Sequence, residues 1–447
     1  MTDIEINELS IEVITSIAED LRVAYYDKVG GTLTIEWGVE QSINAYADSN
    51  SNPESSPNHK IIINYELLRA IYRDIETYCY YIENNVDSEV FENLCGKDMQ
   101  PKDLLTNYFS KESYHRNIFL ASITWVFFHE LGHLKQEHGY VRSMFNESLI
   151  TLISECSTNN EGILEGKASV VSHITEIAAD FEAINICNLE LIKHFKGKDM
   201  LLPAIFLFTS GVSLAIYAFY NKKILMESNI PQGTHPNPLV RLEIMLPQIW
   251  EFFSIPQLEE VLKVKLSRKD LVYTCQSAAS SVGIFWMKKN QLPLDTDSLN
   301  NLTQGMYQRP ELITYMKILI ETWDEIIPII NLNRSKREII TNDFGLLYFT
   351  DESRSLYDAN MNKKPGLAES WKVLDDGVTW EFKLRQGVKF SNGNDFNADD
   401  VVFSFERILN DPTLEMGVYL MRLQEVKKVD DYTVQLVTKI PYPVFDG

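Results

Sequence analysis

Ile123-Thr124-Trp125-Val126-Phe127-Phe128-His129-Glu130-Leu131-Gly132-His133-Leu134 is the stretch on which the reading of this chain turns. Its apolar run closes on an HExxH pattern, His129 to His133. Residues four apart share one face of a helix, so the two imidazoles reach a common point with Glu130 beside them. A hydrolytic zinc site takes two or three neutral nitrogen donors, an open position for water, and a carboxylate that accepts the water's proton. Five consecutive positions supply most of that set. The plainer alternative, two satisfied core histidines on an apolar helix, has to be weighed against what lies downstream.

His138 is the next candidate donor, but it follows His133 by five positions without the glycine turn of an HExxHxxGxxH pattern. Ile174-Thr175-Glu176-Ile177-Ala178-Ala179-Asp180-Phe181-Glu182-Ala183 reads as a second helix with Glu176 and Asp180 one turn apart. Glu176 is expected as the third ligand. Asp180 is expected to accept a hydrogen bond from the second nitrogen of a liganding imidazole, which fixes its tautomer. A solvated acidic face would not need the apolar neighbours Ile177, Ala178, Ala179, Phe181, Ala183 and Ile184. His173, three before Glu176, falls on a neighbouring face and reads as structural.

HELGH followed about 40 residues later by Glu-x-x-Ala-Asp resembles the gluzincin metallopeptidases. Thr234-His235-Pro236-Asn237-Pro238-Leu239-Val240-Arg241 is similar to the Thr-His-Pro…Arg segment of the branch holding the CAAX prenyl proteases and the HtpX-like peptidases. The layout also resembles the Lit-like phage-exclusion peptidases. The resemblance implies Zn2+ as cofactor, held by His129, His133 and Glu176, with Glu130 as general base, His235 as a donor to the oxyanion, and Asp180 and Arg241 as supports. The function expected from it is a zinc-dependent endopeptidase acting on a protein or peptide substrate. The alternative is a solute- or peptide-binding or adaptor protein whose zincin domain is inert or structural.

At 447 residues the chain has room for two or three domains, and its net charge of -22 disfavours nucleic acid and anionic membrane surfaces as partners. Cys79, Cys95, Cys156, Cys187 and Cys275 are odd in number and scattered, which argues against a disulfide framework and for a reducing compartment. The N-terminus has neither a basic region nor an apolar core, so a cytoplasmic location is expected. Leu201 to Tyr220 carries no charge and is long enough to span a bilayer, which is the inner-membrane alternative. Pro203, Thr209, Ser210, Gly211 and Ser213 dilute the run, and a buried helix is the preferred reading.

Helical periodicity runs from Ile4 to Tyr26 and from Ile61 to Asn84, with Thr32 to Trp37 as a short strand and Asp48 to His59 as a loop between them. Further helices follow, including Leu312 to Ile330, until the polar, basic run from Asn331 to Glu338 breaks the pattern. Beyond it, Trp380, Phe382 and Leu384 alternate with Thr379, Glu381 and Lys383, and Asn397 caps a helix with Asp399 and Asp400 in its first turn. Tyr432 to Thr438 reads as a further strand. The expected fold is mainly α: a zincin-like helical domain over 1–335, then a small α+β fragment over 340–447.

That fragment has its own resemblance. Pro365-Gly366-Leu367-Ala368-Glu369-Ser370-Trp371, Asp375-Asp376-Gly377, Phe382 to Phe390 and Asp399 to Arg407 resemble the family 5 extracellular solute-binding proteins of peptide and nickel importers. Such proteins close a ligand between two lobes and are several times longer than the matching stretch. The resemblance therefore implies part of one lobe, with the pocket left incomplete.

Overall fold

A computed structural model describes residues 1–49, 55–84, 86–87, 89–91, 100–146, 150–155, 164–195, 198–220, 230–254, 258, 264, 266–294, 310–336, 355–357, 363–365, 367–374, 376–390, 394–410 and 423–439. The chain divides into two compact units, Met1–Ile255 with Leu262–Asp343, and Pro256–Val261 with Phe344–Gly447.

The first unit is mostly helical. Helix α1 (Asp3–Ala24) starts at a capping box, in which the Thr2 hydroxyl accepts from the Glu5 amide and Glu5 reaches back to Thr2. Strands β1 (Thr32–Gly38), β2 (Ala45–Ser49) and β3 (Asn58–Asn64) precede α2 (Tyr65–Glu83). With β4 (Leu152–Ser154) they form a sheet ordered β1-β3-β2-β4. β1 runs parallel to β3, whereas β2 is antiparallel to both β3 and β4. This sheet corrects the sequence reading at two places. The loop expected over 48–59 lies between two strands, and Ile61 to Asn64 pair in β3 before the helix begins. The run His59-Lys60-Ile61-Ile62-Ile63 is β-branched and alternates in burial, with His59, Ile61 and Ile63 inward, a period of two that a helix cannot produce.

Three helices build the centre: α4 (Lys111–Lys135), α6 (Gly166–His194) and α7 (Lys198–Phe219), after a short α3 (Pro101–Thr106) and with α5 (His138–Ser143) directly following α4. From Trp125 to Leu134 every residue of α4 is buried, so this end of the helix is core on all sides. Glycines set the spacing. A Cβ on Gly132 would stand 3.1 Å from Ala179 Cα of α6, and one on Gly211 of α7 would stand 2.5 Å from Ile118 O of α4. Ser122 closes the α4–α7 seam by donating to Gly211 O at 2.8 Å.

Helix α7 contains the apolar 201–220 stretch. Met200–Phe219 is long and apolar enough to cross a membrane by length and composition, yet most of it is buried within the protein. Helices α8 (Pro238–Phe253), α9 (Arg268–Lys289) and α10 (Pro310–Lys336) complete the unit. α10 corrects the break expected at Asn331: nothing from 331 to 336 is Pro or Gly, and the helix continues to Lys336.

The second unit carries a two-stranded ribbon, β5 (Ser355–Tyr357) with β6 (Lys363–Pro365), and a sheet of β7 (Ala368–Val373), β8 (Thr379–Leu384), β9 (Leu423–Asp430) and β10 (Thr433–Thr438). The order is β7-β8-β10-β9, and the neighbours are antiparallel. Trp380, Phe382 and Leu384 form its core with Val434, Leu436 and Phe405 of helix α11 (Ala398–Asn410). Asn397 Oδ1 accepts from the Asp399 amide at 2.7 Å, the cap that the sequence implies. The Pro441 to Phe445 stretch lies outside the described residues.

Candidate metal centre

The HExxH helix and the Glu176 helix meet where Gly132 faces Ala179. Both residues lack side-chain bulk at the crossing, so the backbones approach and the groups on either side converge. His129, His133 and Glu176 are at most 1% exposed. His129 Nε2 lies 3.0 Å from His133 Nε2 and 3.3 Å from Glu176 Oε2, and His133 Nε2 lies 3.5 Å from Glu176 Oε1. The three residues taken from the sequence as ligands therefore share one point.

The supporting residues are also brought in. Asp180 Oδ1 stands 2.8 Å from His129 Nδ1, which turns Nε2 towards the cluster. Arg241, in the first turn of α8, donates from Nε and Nη2 to the two Asp180 oxygens at 2.9 and 2.7 Å and lies 5.5 Å over the Trp125 ring. That helix starts where it does because Asn237 caps it, accepting from Leu239 N at 2.9 Å, with Pro238 at the first position. His235 Nε2 is 3.4 Å from Glu176 Oε1. Glu130 is wholly buried, and neither of its oxygens has a hydrogen-bond partner. His173 Nε2 donates to Gln232 O at 3.2 Å and Nδ1 pairs with the Tyr315 hydroxyl at 2.6 Å, a structural role away from the cluster.

Glu155 and Arg142 are not found from sequence, and His138 is found there but not in its role. Glu155 Oε1 lies 3.0 Å from His129 Nε2. Its amide donates to Ala45 O at 3.2 Å, so the β2–β4 pairing continues one residue past β4 and aims the side chain at the histidines. Arg142 of α5 donates to Glu176 Oε1 at 2.6 Å. His138 Nδ1 meets His133 Nδ1 at 2.9 Å, so the histidine set aside as a ligand holds one instead. Between α4 and α5, Glu137 adopts φ 53° and is buried against Ser49 Oγ (3.2 Å) and His59 Nε2 (3.4 Å). This left-handed residue turns the chain and thereby lands His138 on His133. No fixed spacing links Glu155 or Arg142 to the motif; tertiary pairing alone brings them in.

The electrostatics follow from burying this many charges. Burial raises the Glu130 carboxyl well above the usual range, and the charge of Glu155 adds to it. For Glu155 itself burial is outweighed by His129 and Arg241, leaving it at about 2. Burial pushes His133 down to about 4 and also lowers His138 and His235. His129 goes the other way: burial opposes its charge, but Glu155, Asp180 and Glu176 together hold it well above its ordinary value. The carboxylates thus favour positive charge on the His129 ring.

Comparisons with known proteins concern the other unit. A family model described as bacterial extracellular solute-binding proteins, family 5, middle region, matches residues 362–446. The dipeptide-binding protein of Escherichia coli K12 is 46% identical over 99 residues, which is 18% of this chain and 18% of that protein. Heme-binding protein A of Haemophilus influenzae is 45% identical over 91 residues, 16% of this chain and 17% of that protein. NikZ of Campylobacter jejuni, solved with Ni(L-His), is 32% identical over 21% of this chain and 19% of that one, with a TM-score of 0.20. The chain thus spans 18% of the length of the dipeptide-binding relative.

These findings overturn two expectations. The relatives are binding proteins, so the zinc-dependent endopeptidase, with Glu130 as general base and His235 as oxyanion donor, is withdrawn along with the hydrolase class. His129, Glu130, His133 and Glu176 are each at most 1% exposed. The cytoplasmic location is withdrawn too, because the matching family is extracellular. The cysteine argument fails for a physical reason. Cys79, Cys187 and Cys275 are free and buried, and burial pushes the Cys275 thiol up to about 12, so such thiols stay inert in either compartment; Cys95 and Cys156 lie outside the described residues. Over residues 362–446, then, this chain is similar to the family 5 extracellular solute-binding proteins.

Proposed function

We propose that the chain is a binding protein in which the 362–446 segment takes part in recognising a short peptide or peptide-like solute, while the helical unit holds one divalent metal ion as part of its structure. The observation that carries the first half is the match of 362–446, reinforced by relatives named for dipeptides, di- and tripeptides and glutathione. The segment brings a sheet face and one helix to that role.

The donor chemistry supports the second half. Two imidazole nitrogens and a carboxylate suit zinc, and the buried Glu176 Oε2 has no hydrogen-bond partner. His129, His133 and Glu176 would hold the ion, Asp180 and His138 would orient the rings, and Arg241 would hold Asp180. Bound there, the ion would add positive charge beside Glu176, whose Oε1 already accepts from Arg142 and whose Oε2 is unpartnered. The gluzincin-like arrangement is read here as a scaffold for holding metal. Calorimetric titration of the full chain with a panel of di- and tripeptides tests the recognition role: saturable binding that free amino acids do not reproduce is expected, and a panel without any binding overturns it.

A further inference from the structure

We propose that Glu155 is a fourth metal ligand, closing the coordination sphere so that the ion is locked in as a structural centre with no position left for water. The inference rests on the metal reading above and concerns a residue outside the HExxH and Glu176 helices.

Distances carry it. Four donors around zinc at about 2.0–2.1 Å stand about 3.3 Å from one another if tetrahedral. The measured edges are 3.0 Å (His129 Nε2 to His133 Nε2), 3.0 Å (His129 Nε2 to Glu155 Oε1), 3.3 Å (His129 Nε2 to Glu176 Oε2), 3.5 Å (His133 Nε2 to Glu176 Oε1) and 3.8 Å (His133 Nε2 to Glu155 Oε1). One ligand atom from each of the four residues lies within 4.8 Å of all the others. The three edges among His129 Nε2, His133 Nε2 and Glu155 Oε1 fall on either side of the tetrahedral value, and Glu176 turns one oxygen to each imidazole, Oε2 to His129 and Oε1 to His133.

Two further observations point the same way. Glu155 Oε2 is buried without a hydrogen-bond partner, and the cation nearest it, Arg241 Nη1, stands 3.7 Å off and is already committed to Asp180 through Nε and Nη2. Glu155 Oε1 is already paired with His129 Nε2, so the unmet demand is at Oε2, where a cation beside the carboxylate would lower the cost of burying it. Moreover, the residue is delivered by backbone pairing rather than by a free loop, since the Glu155 amide is fixed on Ala45 O. An ion held by all four residues therefore ties the edge of the sheet to α4 and α6. Three protein donors with an open position mark a catalytic zinc, and four mark a structural one.

Cobalt-substituted full-length protein tests this without any assay of activity. The wild-type chain should take one Co2+ and show the intense visible bands of a four-coordinate site, unchanged by added azide. Glu155→Ala should bind Co2+ and Zn2+ at least about tenfold more weakly and acquire an azide-dependent spectrum, with the amide of residue 155, which donates to Ala45 O, losing the exchange protection that metal confers on wild type. A wild-type cobalt spectrum that shifts with azide overturns the closed sphere, even if the variant does not fold. So does a Glu155→Ala protein with wild-type affinity and spectrum. A wild-type chain that takes no metal fails at the earlier step and overturns the metal reading itself.

Discussion

The two units bury opposite things. At the centre of the first, His129, Glu130, His133, His138, Arg142, Glu155, Glu176, Asp180 and Arg241 are all at most 5% exposed. The core of the second is Trp380, Phe382, Leu384, Phe396, Phe405, Val434 and Leu436, and its ion pairs, such as Lys389 with Asp395 and Lys428 with Asp399, stand at the surface. Apolar burial stabilises at about 25 cal/mol per Å² and needs no partner. Buried charge stabilises only when every member is matched, and a well-packed apolar replacement often does as well. The second core is therefore explained by stability alone, whereas the first has to be balanced group by group, as Arg142 does for Glu176 and Arg241 for Asp180.

The largest effect should come from unbalancing the charged core. Arg241→Met keeps length and apolar bulk but leaves Asp180 buried beside His129 without its bidentate partner. Removing one member of such a pair costs about 3–5 kcal/mol. Urea unfolding followed by hydrogen exchange in α6 should show that loss there, and restoration when Asp180→Leu is added. A loss under about 1 kcal/mol would mean that the buried charges are as dispensable as surface pairs, for which that is the usual size.

In the second unit the corresponding lesion is a cavity. Phe382 is 5% exposed in the middle of β8, opposite Val434 and Trp371 on the neighbouring strands. Phe382→Ala should cost about 3 kcal/mol, read as lost amide protection in β8 and β10 with α4 and α6 unchanged. Equal losses in both units would break the comparison, since they would then share one stability.

How well each core could be read from sequence follows from the same contrast. The second unit was legible because its determinants are local: alternation across Trp380, Phe382 and Leu384, a turn at Asp376-Gly377 where Gly377 takes φ 71°, and an Asn cap. In the first unit the fixed spacings of HELGH and Glu-x-x-Ala-Asp gave His129, His133, Glu176 and Asp180 in their observed places. Glu155, Arg142 and His138 reach the cluster through a sheet edge and a left-handed turn at Glu137, and no periodicity records either. Strands β2 and β3 were missed for a related reason, because Ala45 to Ser49 is short and Ile61 to Ile63 adjoins a helix of similar hydrophobicity. The motif also suggested the wrong use, since the same letters serve a hydrolytic site or a closed one and differ only in what occupies the fourth position.

The smallest expected effect probes what brings the charged core together. Gly132 sits inside α4, where alanine would ordinarily favour the helix by about 1 kcal/mol. Its Cβ would, however, meet Ala179 at 3.1 Å from Cα, 3.2 Å from O and 3.4 Å from Cβ, and the first two of these are backbone atoms that cannot rotate away. Overpacking of this kind costs about 1–3 kcal/mol, so Gly132→Ala should be destabilised by about 1 kcal/mol net. The more telling consequence is geometric. To admit the methyl group α6 must withdraw by a few tenths of an ångström, and Glu176, three residues before Ala179, withdraws with it from His129 and His133. Zinc affinity should therefore fall further than stability does, as measured by competition with a chromophoric chelator against urea unfolding of the metal-free chain. If Gly132→Ala instead gained about 1 kcal/mol and kept its zinc affinity, the helix crossing would be compliant, and the convergence of the ligands would have to be credited to the Arg142 and Arg241 contacts instead.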